Sequence, residues 1–379
     1  MKRSSLALVG VGGYGEQYLT HLLDNRPGRT TEPSTGVRLV AGVDAFPDRA
    51  RMSGRLLAEG IPIYADLDAC LREQTPDLVV IAAPIHSHVP LAKKALAAGS
   101  NLLCEKPLCA IEEEGRLLVE AARAAAGKVF AVGYQWSFSD AIGRLKRDIL
   151  DGTFGAPLEM KSLVLWPRSA AYYARNGWAG RIRTDGGDWV LDSPLNNAAA
   201  HFLHNMLFLC GAEADAAALP TQVEAELFRA NPIENFDTAA LRVITENGVP
   251  VRMYTSHAVR TERGPLFELR FEKATVTFGA DKQIVAALAD GRNFTYGNPD
   301  TEPFAKLRRT VEAVQGGSPV PCGPETAMAH TVCVNRVQKL GIADFPIARI
   351  RSERIGSDVL TWVPGLAEEY EARYRSDSF

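Results

Sequence analysis

The sequence lacks the features that mark secreted, metal-binding or membrane-spanning proteins. Its 379 residues include only six cysteines, which are scattered and form no C-x-x-C pair. This pattern excludes a disulfide framework or a zinc site and favours reduced thiols in a cytosol. No apolar run is long enough to span a membrane, and a net charge of −3 offers nothing to attract nucleic acid. We therefore expect a cytoplasmic protein with no metal, nucleic-acid or membrane partner.

Internal repeats and low-complexity tracts are also missing, whereas 46% of the residues are hydrophobic, enough for a sizeable core. A chain of this length is expected to form two domains. The apolar stretch after Met1-Lys-Arg imitates a signal peptide faintly, but glycines interrupt it and no small-residue cleavage site follows. We interpret it as the first strand of the first domain.

The most informative feature is a glycine-rich turn that directly follows this strand. Gly10, Gly12 and Gly15 have the G-x-G-x-x-G spacing of a dinucleotide-binding βαβ unit. A helix is expected to begin near Tyr14, so that its N-terminal N–H groups and its dipole attract the cofactor phosphates. The predicted cofactor contacts in this turn are Gly10, Gly12, Gly13, Tyr14 and Gly15.

A carboxylate stands where such a unit usually binds the adenosine ribose. The predicted strand Val37–Val43 ends in Asp44. Its carboxylate oxygens would accept hydrogen bonds from the ribose hydroxyls, and its negative charge would repel a 2′-phosphate. NAD is therefore expected as the cofactor in preference to NADP. Asp44 lies farther from the turn than the usual ~20 residues, and Asn25–Gly36 is interpreted as an inserted loop. In the alternative, Asp44 merely caps a helix over Asp48–Ala58.

The organisation of the chain changes near residue 135. Before that point strands and helices alternate, which predicts a Rossmann-type, doubly wound parallel sheet over residues 1–135. Residues 136–379 contain longer strands, a hairpin turn at Glu246-Asn-Gly248 and a helical stretch at Leu195–Leu209. They predict an α+β domain with an open, mostly antiparallel sheet. The final segment is too apolar for a disordered tail, although its place in the fold is not predicted.

Five motifs in order resemble the glucose-fructose oxidoreductase / inositol dehydrogenase (Gfo/Idh/MocA) family, from the first strand to about residue 280. They are Gly10–Gly15, Ala83-Pro84 with His88, Ala95–Gly99, Glu105-Lys106-Pro107 and Gly133-Tyr134. The resemblance implies an NAD(P)-dependent dehydrogenase or reductase acting on a sugar, cyclitol or sugar acid. It also implies that the outer face of the second sheet joins subunits into a homodimer or homotetramer, and that Pro84 and His88 lie near the cofactor.

The resemblance gives Lys106 the central catalytic role, that of contacting the reacting hydroxyl. The Glu-Lys-Pro triplet closes a predicted parallel strand, and ligands bind beyond the carboxyl ends of such strands. Pro107 restricts the backbone of Lys106 and so fixes the direction of its side chain. A lysine beside a cationic nicotinamide exchanges its proton more readily near neutral pH. Glu105 would hold the lysine or the nicotinamide side, and the alternative is a simple surface ion pair.

A second catalytic group is expected before Gly211. Family members carry Asp-x-x-x-His-x-x-Asp there, and counting back from Gly211 places Asn197, His201 and His204 at these three positions. Helical spacing of i, i+4 and i+7 would put them on one face. His201 is the predicted general acid/base, because an imidazole exchanges protons near neutral pH. His204 is either a substrate contact or a core histidine.

This alignment has a rival that begins at Asp192. In it, Asp192 is the first member of the motif and Asn196 occupies the histidine position. In the preferred alignment Asn197 orients substrate or imidazole, and Asp192 could still supply the missing carboxylate from another direction. Both Asn197 and Asp192 are therefore candidate catalytic residues.

A stretch rich in tryptophan, tyrosine and arginine begins at Trp166. Aromatic faces stack on sugar rings, while arginine and asparagine bind hydroxyls or a carboxylate. The alternative is a subunit contact, because the same residue types are enriched at interfaces. Family members often carry an arginine before the aromatic residue of the segment Gln135–Phe138, where this sequence has none. The substrate of this protein therefore cannot be inferred from theirs. The predicted substrate contacts are Arg168, Tyr173, Asn176, Trp178, Arg181 and His204.

Three functions follow from these observations. The leading hypothesis is hydride transfer between NAD and the C–OH of a sugar-like substrate, with Lys106 and His201 handling the hydroxyl proton. The second is a glycoside hydrolase or eliminase of the same fold that uses bound NAD for a transient oxidation. The third is a non-catalytic nucleotide-binding sensor, which the presence of Lys106 and His201 disfavours.

Overall fold

The computed structural model describes residues 3–24 and 36–376, which form two compact units. The first unit comprises the chain up to Cys109, Glu113–Phe138 and Glu302–Glu325, and the rest of the chain forms the second unit. The sequence assigned everything after residue 135 to the second domain, so the return of Glu302–Glu325 to the first unit corrects that assignment. The loop predicted over Asn25–Gly36 lies, except for Gly36, outside the described residues.

The first unit is built on a six-stranded sheet with the order β3-β2-β1-β4-β5-β6, in which all pairs are parallel. This confirms the doubly wound sheet. Between β1 and β4 the strand order reverses, and ligands bind beyond the carboxyl ends at such a point. The elements are β1 (Ser4–Val9), α1 (Gly15–Asp24), β2 (Val37–Val43), α2 (Ser53–Ala58), β3 (Ile63–Tyr64), α3 (Leu67–Glu73), β4 (Leu78–Ile81), α4 (His88–Ala97), β5 (Asn101–Cys104), α5 (Glu112–Ala124) and β6 (Phe130–Val132).

The central strands of this sheet read as continuous apolar runs because both of their faces are covered. All four residues of β4 are fully buried, and Leu6, Ala7 and Leu8 of β1 are buried equally. Parallel strands with helices on both faces require this composition. The two strands therefore provide a rigid base for the turns that follow them.

The second unit contains a nine-stranded sheet with the order β14-β13-β12-β11-β7-β10-β9-β8-β15. Two of its pairs, β7 with β10 and β8 with β15, are parallel and the others are antiparallel, which confirms the mostly antiparallel prediction. Helix α9 (Ala305–Val314) belongs to the first unit. The other elements from α6 onward are α6 (Asp140–Leu150), β7 (Pro157–Leu165), α7 (Ala170–Ala174), α8 (Ala200–Leu209), β8 (Pro220–Arg229), β9 (Thr238–Thr245), β10 (Pro250–Ser256), β11 (Arg263–Phe271), β12 (Ala274–Phe278), β13 (Ile284–Leu288), β14 (Asn293–Gly297), α10 (Pro324–Val337), β15 (Ile342–Asp344), β16 (Arg351–Ile355), β17 (Asp358–Trp362) and α11 (Leu366–Arg375).

Helix α8 begins later than the sequence predicted. Residues 194–199 form turns, and α8 starts at Ala200. The side chain of Asn197 donates to Asp192 Oδ1 at 2.7 Å, and such local side-chain bonds compete with helix formation. The prediction that Asn197 shares a helix face with His201 and His204 is therefore wrong, since only the two histidines belong to α8.

The C-terminal segment packs on the second unit's own sheet. Strands β16 and β17 form a hairpin, and α11 lies against β7 and β10. Tyr370 of α11 is buried with its ring centroid 5.7 Å from that of Tyr254, and Leu366 and Ala367 join the same core cluster. The chain's own last helix thus covers part of one face of the sheet.

Candidate active site

The glycine-rich turn of the first unit needs glycine at two positions for packing. Gly10 has a φ of +84°, and a Cβ there would lie 2.6 Å from the Ala82 carbonyl oxygen. A Cβ on Gly15 would lie 1.8 Å from the carbonyl oxygen of Gly10. A Cβ on Gly12 would meet only Ala50 Cβ, at 3.8 Å. Gly12 therefore borders open space, as a backbone that approaches a pyrophosphate requires.

Two alanine substitutions should separate these roles. Gly12→Ala is expected to leave the melting temperature nearly unchanged but to weaken NAD binding at least about 10-fold, because the methyl group fills the space for the phosphates. Gly15→Ala is expected to lower the melting temperature strongly, because the turn must open. Thermal unfolding and NAD titration of both variants check this. Equal loss of stability in the two variants would contradict the assignment.

Asp44 lies beside this turn at the end of β2. Its Oδ2 accepts a hydrogen bond from the Val11 N–H at 3.1 Å, and its Oδ1 accepts from the Phe46 N–H at 2.8 Å. Helix α2 begins only after Met52, so the side chain does not act as its cap. The carboxylate is instead tied to the backbone of the glycine-rich turn, which leaves its predicted ribose role as a proposal.

The Glu105-Lys106-Pro107 triplet follows β5 in the same unit. Glu105 is buried, and its Oε1 accepts a hydrogen bond from Tyr18 Oη at 2.6 Å. Its Oε2 accepts from the backbone N–H of Lys106 at 3.3 Å. Lys106 itself is half-buried. A Cβ on Gly133 would lie 3.0 Å from both Glu105 oxygens, so the glycine of the Gly133-Tyr134 motif makes room for this carboxylate.

Sequence reasoning missed a partner of Glu105. Lys306 of α9 is fully buried, and its Nζ lies 2.5 Å from Glu105 Oε1 and 3.2 Å from Tyr14 Oη. Burial alone would lower the pKa of Lys306, but the carboxylate of Glu105 and the hydroxyl of Tyr14 outweigh it and raise this pKa. The sequence did contain a signal for this partner, because Lys306 precedes Leu307 on the apolar face of a predicted amphipathic helix.

His88 connects the turns that follow β4 and β5. Its Nδ1 lies 2.9 Å from the Pro107 carbonyl oxygen, and its Nε2 lies 2.9 Å from that of Ala83. Burial lowers the pKa of this histidine, and these carbonyl contacts oppose the shift. Both ring nitrogens therefore face backbone carbonyls, and the neutral ring can donate its single N–H to one of them. The predicted cofactor role of Pro84 and His88 stays a prediction.

In the second unit, the structure brings together one residue of each alternative alignment, Asp192 and Asn197, whereas Asn196 donates instead to the Val190 carbonyl. Asp192 is buried, and its carboxylate accepts hydrogen bonds from the Gly180 N–H at 2.6 Å and from Asn197 Nδ2 at 2.7 Å. The preceding Leu191 has a φ of +50°, which is uncommon for a residue with a Cβ and recurs at functional sites. The Asp192–Asn197 pair is thus a fixed polar feature immediately before α8.

The two histidines of α8 have different surroundings. His201 is half-buried at the first turn of the helix. His204 is 1% exposed, and its ring is stacked on that of Phe208. Burial, reinforced by the nearby His330 and Lys146, holds the pKa of His204 well below its usual value. The structure therefore places His204 in the core, as the alternative interpretation had it, and leaves His201 as the accessible imidazole.

The predicted substrate contacts divide into two groups. Asn176 Oδ1 accepts from the N–H groups of Trp178 and Ala179, at 3.1 and 2.8 Å, and Arg181 pairs with Asp185 at 2.5 Å. The side chains of Asn176 and Arg181 therefore stabilise their own loop. Trp178 is half-buried in that loop. The substrate role of this first group stays a prediction.

Arg168 and Tyr173 belong to a second group, which includes a histidine that sequence reasoning did not select. Tyr173 Oη lies 3.2 Å from Nδ1 of the buried His257. Burial raises the pKa of Tyr173 well above its usual value, and Asp237 adds to the shift. Burial also lowers the pKa of His257, as do the charges of Arg168 and Arg175. His257 follows β10 directly, and its position after a strand was the available signal.

Among residues 3–24 and 36–376, no group of three or more histidine, cysteine or acidic side chains could hold a metal ion. No helix in these ranges is both long and apolar enough to cross a membrane.

Comparison with known proteins shows which proteins the chain is similar to. A family model described as "Oxidoreductase family, NAD-binding Rossmann fold" matches residues 5–134. The inositol 2-dehydrogenase of Klebsiella pneumoniae subsp. pneumoniae is 27% identical over 206 residues, which are 54% of this chain and 53% of that protein. The chain thus matches about half the length of this relative. The D-apiose dehydrogenase of Paraburkholderia graminis is 27% identical over 320 residues, 83% of this chain and 77% of that protein.

A solved structure extends the likeness of the fold to most of the chain. The WlbA dehydrogenase from Bordetella pertussis, in complex with NADH and UDP-GlcNAcA, superposes with a TM-score of 0.69 at 20% identity and covers 88% of this chain and 96% of that one. At this identity the match shows the fold alone. The family model, the relatives and the motif order agree in what the chain is similar to: residues 5–134 match the NAD-binding Rossmann fold of the Gfo/Idh/MocA oxidoreductase family.

Proposed function

We propose that this protein is a dehydrogenase that transfers a hydride between a nicotinamide cofactor and a carbinol or keto carbon of a sugar, cyclitol or sugar acid. The observation that carries the proposal is Lys106, held through its backbone by the buried Glu105 at the carboxyl end of β5. The turn at Gly12 has room for phosphates and Asp44 lies beside it, so the first unit fits NAD. The bound nicotinamide supplies the hydride acceptor or donor.

The protein's own residues handle the proton and the orientation of the substrate. Lys106 is the proposed group that takes the proton of the reacting hydroxyl, or returns it in the reverse direction. His201 is the proposed second acid/base group. The Asp192–Asn197 pair is the proposed orienting element, since its geometry is fixed by the hydrogen bond to Gly180.

We propose NAD as the preferred cofactor because of the charge of Asp44. Asp44→Ser is expected to raise the kcat/KM ratio of NADP over NAD about 10-fold or more, since it removes the carboxylate that would repel a 2′-phosphate. Asp48 is an exposed carboxylate of the same segment, so Asp48→Ser serves as the control and should leave the ratio unchanged. Steady-state kinetics with both cofactors would refute the role of Asp44 if the two variants behaved alike.

The reaction is tested by following NADH absorbance while the protein and NAD are mixed with neutral polyols, aldoses and sugar acids in turn. We expect net NADH formation with at least one of them. Cleavage of a glycoside without net NADH would support the hydrolase or eliminase alternative instead. Cofactor binding without turnover on the whole panel would favour the sensor alternative, and failure to bind either nicotinamide cofactor would overturn the proposal.

We also propose that the protein is a homodimer or homotetramer that associates through the sheet of the second unit. Helix α11 covers this sheet at β7 and β10, so a subunit contact must include α11 or lie on strands outside it. Sedimentation equilibrium tests the proposal, and a monomer at micromolar concentration would refute it.

A further inference from the structure

Two arginines of the second unit share one tyrosine ring and have no acidic partner. The guanidinium carbons of Arg168 and Arg175 lie 4.9 and 3.7 Å from the centroid of the Tyr172 ring. Over the described residues, neither guanidinium forms an ion pair with a carboxylate. Arg260 also lies over an aromatic ring, but it pairs with Glu353 at 2.9 Å. The ring of Tyr172 thus brings together two guanidinium groups, neither of which is paired with a carboxylate of the described residues.

Donors without acceptors surround these arginines. Trp166 Nε1, Arg168 Nε and His257 Nε2 are buried, and no described atom accepts a hydrogen bond from them. Backbone bonds from Trp166 to Ser256 and from Arg168 to His257 hold the three side chains in neighbouring positions. Buried donors are costly unless an acceptor meets them. These three donors are therefore open to an acceptor from outside the described chain, while other hydrogens of Arg168 and Arg175 are bonded to the Pro167 and Tyr172 carbonyls.

The tautomer of His257 determines whether its Nε2 is a hydrogen-bond donor. Burial and the two arginine charges lower its pKa, which keeps the imidazole neutral. Its Nδ1 faces the hydroxyl of Tyr173 at 3.2 Å. When that hydroxyl donates to Nδ1, the ring proton resides on Nε2, which makes this atom a donor.

The two nearby carboxylates are already engaged. Burial raises the pKa of Tyr172, and the charge of Asp192 adds to this shift. Asp192 therefore lies within electrostatic reach, but its oxygens accept from Gly180 and Asn197. Asp237 is fully buried, and it accepts from Asn231 and from the Thr238 hydroxyl. Neither acid can therefore pair with the guanidinium groups without losing these bonds.

From this cluster we infer that Arg168 and Arg175 form an oxyanion subsite, with Trp166 and His257 as supporting donors, and that the substrate is a polyol carrying a carboxylate or phosphate group. Guanidinium groups bind both oxyanions through paired, charge-assisted hydrogen bonds. Arg175 is exposed and Arg168 half-buried, so an incoming oxyanion meets Arg175 first. The identity of the substrate rests on the proposed dehydrogenase function, whereas the binding of an oxyanion does not.

The test compares glucuronate and glucose-6-phosphate with glucose and myo-inositol. The wild-type kcat/KM with NAD is expected to be about 100-fold higher for one of the two anions than for either neutral polyol. Arg168→Met and Arg175→Met should each remove about 10-fold or more of this preference through KM and leave the neutral polyols within about threefold. Arg260→Met is the matched control and should change nothing. A preference for glucuronate or for glucose-6-phosphate identifies the oxyanion.

Equal use of neutral and anionic polyols, or an equal loss on both classes in Arg168→Met, would overturn the subsite. Equilibrium dialysis of both anions against the NAD-bound protein separates this failure from failure of the proposed reaction. Retention of an anion by the wild type, with loss in Arg168→Met and not in Arg260→Met, supports the subsite even if no NADH forms. Absence of retention, or equal retention by all variants, contradicts it.

Discussion

Replacing Lys106 with methionine is expected to lower kcat by a factor of about 10² to 10⁴, the usual contribution of a positioned acid/base group. Methionine keeps an unbranched, flexible side chain but removes the amine that would exchange the hydroxyl proton. The hydrogen bond from the Lys106 backbone to Glu105 remains possible, so the affinity for NAD should change little. Steady-state kinetics and NAD titration measure the two quantities separately.

Lys94→Met is the control for this experiment. Lys94 is an exposed lysine of α4 in the same unit, where it pairs with Asp68, and its replacement should leave kcat unchanged. Turnover by Lys106→Met at the wild-type rate would remove Lys106 from the mechanism. A parallel loss of NAD binding would instead indicate a damaged cofactor site.

Replacing Lys306 with methionine is expected to destabilise the protein by about 3–5 kcal/mol, because it leaves the buried Glu105 carboxylate without its cation. Only the Tyr18 hydroxyl and the Lys106 N–H would then remain as described hydrogen-bond donors to that carboxylate. Denaturant unfolding measures the change in the free energy of unfolding. The raised pKa of Lys306 means that the pair stabilises the fold fully below the ordinary lysine pKa, and that this contribution is lost as the pH rises through the raised value.

Two further variants test whether the effect comes from the ion pair. The double variant Glu105→Gln, Lys306→Met leaves no buried charge at this position, so it should recover a large part of the lost stability. Arg308→Met, on the same helix, breaks the half-exposed pairs with Glu302 and Glu312 and should cost at most about 1 kcal/mol. A double variant as unstable as the sum of its single variants would show that Glu105 and Lys306 are not coupled.

The nucleotide-binding half of the fold could be predicted because its signals are local. The apolar strand β1, the glycine spacing after it and the buried run of β4 are each contained in a few consecutive residues. Steric demands at Gly10 and Gly15 act between these same short segments. The order of these signals along the chain was therefore enough for the sheet and for the position of Lys106.

The rest depended on contacts between distant segments. Lys306 is separated from Glu105 by 201 positions, and their pairing requires Glu302–Glu325 to return to the first unit. His257 joins Tyr173 across 84 positions. No periodicity along the chain records such pairings, so the cation beside Glu105 and the imidazole beside Tyr173 were both missed.

In the region before α8, the geometry assumed for the predicted catalytic residues differs from the structure. Counting from Gly211 selected Asn197 and His201 and assumed one continuous helix, whereas the bond from Asn197 to Asp192 belongs to the turn that precedes the helix. One residue from each of the two alignments, Asp192 and Asn197, therefore belongs to the same hydrogen-bonded turn.

The most direct test of the proposed function follows the carbinol hydrogen of a substrate. A polyol deuterated at the oxidised carbon, chosen as the best substrate from the panel, is converted with NAD, and the reduced cofactor and product are analysed by mass spectrometry. We expect the deuterium to appear in NADH in proportion to the keto product. Lys106→Met is expected to slow the appearance of deuterium in NADH. Deuterium that returns to the sugar product without net NADH, or that is lost to solvent, would contradict a dehydrogenase.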